Sequence, residues 1–315
     1  MSAVSDAPRD PGAPADPRAS TLGAASAFHL TSTDAMLLLM ATIWGVNFSV
    51  MKFGAAAFTP EAFNALRVTL AALALGGIAF TRVAGRPSAA DAKRLMLLGL
   101  LGHAIYQFLF LNGLHRARAG TAALVIAGTP ALIAILLQVT GHERITRRAA
   151  VGIALSLTGI ALVVSAAAAP NAPDDSPLGL VLVLGASMCW AFYTLGLRPL
   201  THRVDGVQMA AWTVFGAVIP MILMGLPSLL ETDFRTVSLT AWGAVCYSAF
   251  LAFVVAYLIW YRGVRVLGPV RTAMYANLQP IIALGVAWVV LHERPTAVQF
   301  VGAACVVGGV YLSRR

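Results

Sequence analysis

The chain contains one stretch of itself twice. Gly113 through Leu162 align without a gap onto Gly263 through Leu312 at a constant offset of 150, with 13 identities over 50 positions. The identities include Gly113/Gly263, Pro130/Pro280, the triplets His142-Glu143-Arg144 and His292-Glu293-Arg294, Gly152/Gly302 and Gly159/Gly309. Nearly everything aligned is apolar. Of 315 residues 59% are hydrophobic and only 11% charged, where a soluble domain carries about 25%. Apolar runs of about 20 residues, each long enough to cross about 30 Å of hydrocarbon, recur along the whole chain. A repeat of this composition finds its solvent in lipid, and a duplicated membrane unit is the common architecture of small-molecule transporters. The expected fold is an all-α polytopic membrane protein.

Ten spans are expected, at 35–54, 61–81, 94–115, 119–140, 149–167, 178–199, 206–230, 240–263, 269–291 and 296–313. Residues 1–34, rich in Ala, Pro, Ser and Asp and without the order of a signal peptide, read as a disordered cytoplasmic tail. Residues 35–168 then form the first repeat, 169–177 a linker and 178–315 the second repeat. Five crossings per repeat is an odd number, so related halves sit upside down relative to one another. The basic residues agree. With both termini inside, sixteen Lys and Arg fall on cytoplasmic segments and five (Lys52, Arg116, Arg118, Arg235 and Arg294) on the other side, with Arg67 left within a span. The fronts of the halves match more weakly at an offset of 146, pairing Trp44 with Trp190 and Lys52 with Arg198. The formal net charge of +9 is thus spread over short loops, which points to membrane orientation and away from nucleic acid.

Pro130 and Pro280 fall near the middle of the fourth and ninth spans. Each removes a backbone hydrogen bond and frees a carbonyl four residues earlier, at Ile126 and Ala276. Paired breaks at equivalent depths point to a binding site near the midplane. Polar and aromatic residues gather at these depths: Trp44 and Asn47; His103, Tyr106 and Gln107; Thr129; Trp190 and Tyr193; Tyr257 and Trp260; Tyr275, Asn277 and Gln279. Such a set suits an aromatic pocket with a few placed polar groups. For any one of them a Trp at the interface, or an amide joining two helices, is the competing reading.

His103 lies near mid-depth, where a proton-coupling role and a simple interhelical hydrogen bond both stay open. Arg67, two turns into its span, is expected to snorkel, with pairing to Glu61 or binding of an anionic group as alternatives. Glu143 and Glu293, at span ends, are expected to pair with loop cations such as Arg144 and Arg294. Gly152/Gly159 and Gly302/Gly309, at seven-residue spacing, mark the fifth and tenth spans as closely packed scaffold. Cys189, Cys246 and Cys305 are expected to be buried packing residues, neither disulfide nor metal site. No metal site, cofactor motif or catalytic constellation is legible, so no enzyme is expected.

Trp44-Gly45-x-Asn47-Phe48, followed by Lys52, Pro60 and Arg67, resembles the start of an EamA domain. A mid-span Pro, a Glu at the next helix end and a Gly-rich span continue the resemblance. Trp190-Ala191-x-Tyr193, Leu267-Gly268-Pro269, Pro280 and Glu293 repeat it, and the two copies cover nearly all of 35–313. The chain is thus similar to the ten-span branch of the drug/metabolite transporter superfamily. That resemblance implies two inverted five-helix repeats around a central cavity. It implies alternating access, with the first, third, fourth, sixth, eighth and ninth spans near the substrate. Family members often export amino acids, purines, drugs or other metabolites. The second copy departs where Ala191 and Tyr193 replace Gly and Asn, so the pocket is expected to be asymmetric. Sparse charge among aromatic faces favours neutral or zwitterionic compounds such as amino acids. An organic-anion or nucleotide-sugar carrier and a passive channel are the alternatives. The expected partners are a small-molecule substrate and the lipid bilayer, in a bacterial plasma membrane, with a homodimer left open.

Overall fold

Local capping chemistry sets where the helices begin. The computed structural model describes residues 31–82, 85–141, 146–167, 175–267, 272, 275–276 and 278–313. Among them there is no strand. Helix α1 (Ser32–Ala55) opens with a capping box: the Asp34 N–H donates to Thr31 Oγ1 and the Asp34 carboxylate accepts the Thr31 N–H. Thr59, Ser88, Ser176, Asp205 and Ser238 cap α2 (Pro60–Thr81), α3 (Ala89–His115), α6 (Pro177–Leu200), α7 (Gly206–Glu231) and α8 (Leu239–Leu267). Between these lie α4 (Ala119–Val139) and α5 (Arg147–Ala167), and the chain closes with α9 (Gln279–Val290) and α10 (Ala297–Ser313).

Among the described residues seven helices, α1–α4 and α6–α8, are long and apolar enough to cross a membrane. α9 and α10 supply shorter apolar stretches. The expected ninth span began at 269, but residues 268–271, 273–274 and 277 lie outside the described residues. So do 1–30, most of the expected tail, and 168–174, most of the linker. The cysteines differ from expectation: Cys246 is exposed on the helix surface and Cys189 and Cys305 are half-buried, all three free. A residue this small tolerates a lipid-facing position as well as a packed one.

Two pairs of equivalent helices from the two halves pack antiparallel. Near the start of α7, Gln208 Nε2 donates to Ala79 O and Arg82 O at the end of α2, both at 2.9 Å. Near the end of α7, a Cβ on Gly225 would lie 2.6 Å from Glu61 O, at the start of α2. α5 and α10 do the same: Gly159 faces Gly302, Gly152 faces Gly309, and Ser156 Oγ donates to Val306 O between them. The glycines expected to mark scaffold are therefore packed against one another. Three further packed pairs map onto one another when each helix is exchanged for the one five later. α1 with α9 answers α6 with α4, α3 with α6 answers α8 with α1, and α3 with α7 answers α8 with α2.

The connecting segments gather at two ends. At one, Arg203 meets Asp91 at 3.2 Å, the Asp205 N–H donates to Gly85 O, and Arg265 binds the Asp205 carboxylate. At the other, the Ser176 N–H donates to Arg116 O and Asn112 Nδ2 donates to Glu61 at 2.8 Å.

The glycine contacts yield a matched test. A Cβ at Gly309 would stand 2.3 Å from Gly152 O, whereas one at Gly77 meets nothing within 4 Å. Gly309→Ala should lower thermal stability in detergent by the equivalent of about 1–3 kcal/mol, the usual cost of overpacking. Gly77→Ala should not lower it.

Candidate functional site

α1, α3, α6 and α8 each turn one aromatic face toward a common centre. His103, Tyr106 and Gln107 share a face of α3, Trp190 and Tyr193 a face of α6, and Tyr257, Trp260 and Tyr261 a face of α8, all by three- and four-residue spacing. The rings join into one network. Trp44 lies 5.5 Å from Tyr257 and 5.8 Å from Trp260 between centroids, Trp190 5.2 Å from Tyr193 and 5.5 Å from Tyr106, and Trp190 6.1 Å from Tyr257. His103 sits 5.3 Å from both Tyr193 and Tyr257. Seven expected pocket residues from both halves are thus brought together.

Two π-helical stretches shape this centre, Leu100–Ile105 in α3 and Tyr247–Val255 in α8, at overlapping positions of the 150-residue repeat. Neither was foreseen. The wider turn realigns backbone carbonyls, and one of them, Ala252 O, accepts the Trp44 indole N–H at 3.0 Å.

Arg67 overturns the snorkelling expectation. It is 1% exposed and its guanidinium turns inward. Nε and Nη2 donate to Asn64 Oδ1 at 2.9 and 2.6 Å, Nη2 also to Gln107 Oε1 at 2.6 Å, and Nη1 to Met51 Sδ at 3.1 Å. Asn64 Nδ2 donates to the backbone carbonyl of Gln107 at 3.0 Å, which fixes the Asn64 amide. The guanidinium carbon stands 5.3 Å from the Phe63 ring and 5.4 Å from the Phe253 ring. Glu61 is occupied by Asn112. Arg67 lies outside the expected pocket set, yet it binds one of its members, Gln107; the sequence signal is a cation with an amide on its own helix face three residues away.

His103 is fully buried, with Nε2 3.3 Å from Thr213 Oγ1 and 3.4 Å from Tyr193 OH, while Nδ1 has no partner. His103 corresponds to Phe253 at offset 150 and Arg67 to Thr213 at offset 146. The contacts His103–Thr213 and Phe253–Arg67 are therefore one repeat contact written with two chemistries.

Other expected pocket residues are used elsewhere. Asn47 Oδ1 accepts from Ser248 at 2.7 Å, which joins α1 to α8. Thr129 Oγ1 donates at 2.6 Å to Ile126 O, the carbonyl that Pro130 leaves unserved. α4 breaks at Gly128, and the helix resumes at Thr129 just as α9 begins at Gln279, so Pro130 and Pro280 hold the second helical position on both sides of the repeat. Tyr275 OH donates to Asp34 Oδ1 at 2.6 Å, near the start of α1. Gln279 is half-buried with its carbonyl against Gly45. Asn277 and Glu143 lie outside the described residues. A groove of about 530 Å³, bordered by Lys93, Met96, Trp212 and Pro220, lies between α3 and α7, away from the aromatic centre.

Glu293 meets a loop cation as expected, Arg118 at the start of α4 rather than Arg294 beside it, and it also caps that helix. Its carboxylate accepts the N–H groups of Ala119 and Gly120, capping α4 from the other half, with Arg118 Nε at 4.0 Å. An anion is favoured there because the first N–H groups of a helix lack internal partners. Beside it Asp175 accepts the Arg118 N–H at 2.7 Å and the Thr121 hydroxyl at 2.9 Å, and Gln299 Nε2 donates to Thr121 Oγ1 at 2.6 Å. Burial pushes the Asp175 carboxyl above its ordinary value, against those hydrogen bonds and Arg118, while the Glu293 charge adds to the rise. A folded-state value above the unfolded one means protonation favours the folded state, and stability is lost as pH rises through the folded value. Asp175→Asn should therefore be at least as stable as wild type at neutral pH. The difference in thermal midpoint should narrow as pH falls toward 4, which a pH series of melting curves measures.

Comparison with known proteins follows the two halves. Residues 31–165 and 177–315 each match the EamA-like transporter family. A Streptantibioticus cattleyicolor protein named "Probable terminal-alkyne amino-acid exporter" is 28% identical over 279 residues, covering 89% of this chain and 92% of that one. An Escherichia coli protein named "Probable amino-acid metabolite efflux pump" is 28% identical over 286 residues, covering 88% and 93%. A transporter from Bacillus subtilis, uncharacterized, is 28% identical over 280 residues, covering 87% and 91%. A solved crystal structure shares the fold with a TM-score of 0.60 at 19% identity, covering 89% of this chain and 96% of its own.

Proposed function

Because the chain belongs to the EamA-like transporter family, we propose that it exports small zwitterionic or neutral metabolites, amino acids foremost, by alternating access. Ten spans form two inverted repeats in the plasma membrane, with both termini cytoplasmic. The antiparallel pairing of α2 with α7 and of α5 with α10 supports the inversion. The end that gathers Arg203, Arg265 and Arg82 is the cytoplasmic one by the distribution of basic residues. One relative named a terminal-alkyne amino-acid exporter and another named an amino-acid metabolite efflux pump support the direction and the substrate class.

The observation that carries the reading is the ring network of Trp44, Tyr106, Trp190, Tyr193, Tyr257 and Trp260 at the meeting of the halves. Aromatic faces take up apolar side chains and attract an ammonium group through the ring quadrupole. Helices that move relative to one another would part these rings and rejoin them around substrate. A carrier of this kind saturates and shows counterflow. Proteoliposomes loaded with unlabelled leucine or phenylalanine should accumulate the labelled amino acid, and Trp190→Ala should reduce the initial rate by roughly tenfold or more, in line with loss of a central aromatic contact. Flux that rises linearly with concentration, without counterflow, would indicate a channel.

A further inference from the structure

We propose that Arg67, presented by Asn64 and Gln107, is the subsite that receives the carboxylate of the transported amino acid. This rests on the amino-acid reading above and adds the polar end of the substrate to it.

A cation in the apolar interior ordinarily has a carboxylate beside it, because an unpaired charge there is costly. Among the described residues Arg67 has none. Its acceptors are two amide oxygens and a thioether sulfur. These groups orient the guanidinium without neutralising it. The two Nη groups form the edge that a carboxylate grips with two parallel hydrogen bonds. On that edge stand Gln107 Oε1 and Met51 Sδ, the latter a weak acceptor, both at the ends of flexible side chains. Asn64 holds Nε and Nη2 from the same helix, so the plane of the guanidinium persists when Gln107 and Met51 are displaced.

The position fits the rest of the substrate. Phe253 lies 5.4 Å from the Arg67 guanidinium and 5.8 Å from the His103 ring, and it stacks on Tyr257 at 5.7 Å. Gln107 follows Tyr106 directly on α3. A carboxylate at Arg67 thus places the α-carbon against the aromatic network. There the side chain meets rings and the ammonium meets their faces, with the unpartnered Nδ1 of His103 one residue beyond Phe253.

The test is competition in the proteoliposome counterflow assay, with phenylalanine, phenylalaninamide and phenethylamine against labelled phenylalanine. Wild type should prefer the acid over the amide by about tenfold or more, the discrimination a lost bidentate contact gives. In Arg67→Gln that ratio should fall to near one, and Arg67→Lys should recover part of it. Gln107→Glu, close in shape, supplies an internal carboxylate to the guanidinium and should likewise abolish the preference while the protein stays monodisperse. Equal competition by acid and amide in wild type overturns the proposal without any variant, as does an unchanged ratio in Arg67→Gln or Gln107→Glu. In those outcomes amino-acid transport itself stands. Wild type that moves no amino acid would remove the transport reading and the subsite together.

Discussion

Hydrocarbon offers no hydrogen bonds, and this constraint organises the whole molecule: every polar group that leaves water must be met by another part of the chain. Where a helix alone cannot meet that demand, the chain often meets it across its two halves. Gln208 serves the carbonyls that end α2, Glu293 serves the amides that begin α4, and Trp44 takes a carbonyl from the π-helical stretch of α8. Each bond joins residues more than a hundred positions apart in sequence. The fold is held less by burial of apolar surface, which lipid provides equally well, than by close backbone approach and polar groups that find partners in the other half.

Duplication makes this economical. Once one packing solution exists between two helices, an exchanged copy supplies its counterpart, as the paired contacts of α1 with α9 and α6 with α4 illustrate. Divergence then works on top of the shared frame. The contact that is Arg67 against Phe253 in one place is Thr213 against His103 in the other. Asn47 and Tyr193 diverge in the same way: the first ties α1 to Ser248, the second meets His103 and Tyr261. A shared packing frame thereby encloses an asymmetric centre, with the Arg67 guanidinium on one side.

Much of the frame was legible from sequence because periodicity and duplication survive in composition. The helix boundaries follow capping residues and apolar length, and the packing glycines announce themselves by repeated spacing. The aromatic centre was legible too, since Trp44, Trp190 and Tyr257 fall at one depth. Side-chain direction was not. Arg67 could reach out or turn in with the same spacing, and only the placement of Gln107 and Met51 on neighbouring helices decides it. Thr129 reads as a pocket hydroxyl until the carbonyl left free by Pro130 claims it. Glu293 reads as a loop carboxylate until the start of α4 arrives from 174 residues upstream. The π-helical stretches carry no composition signal, because a widened turn uses the same apolar residues as an ordinary one.

The proposed inversion of the two halves is the central claim of this account, and side-specific labelling of single cysteines tests it most directly. With Cys189, Cys246 and Cys305 replaced, a cysteine at Ser88 or Thr201 should react with a membrane-impermeant maleimide only after the cells are opened. One at His115 or Thr236 should react in intact cells. Ser88 and Thr236 lie in equivalent loops of the two halves, so reaction of these two positions from the same side would contradict the inverted arrangement and the shared site built on it.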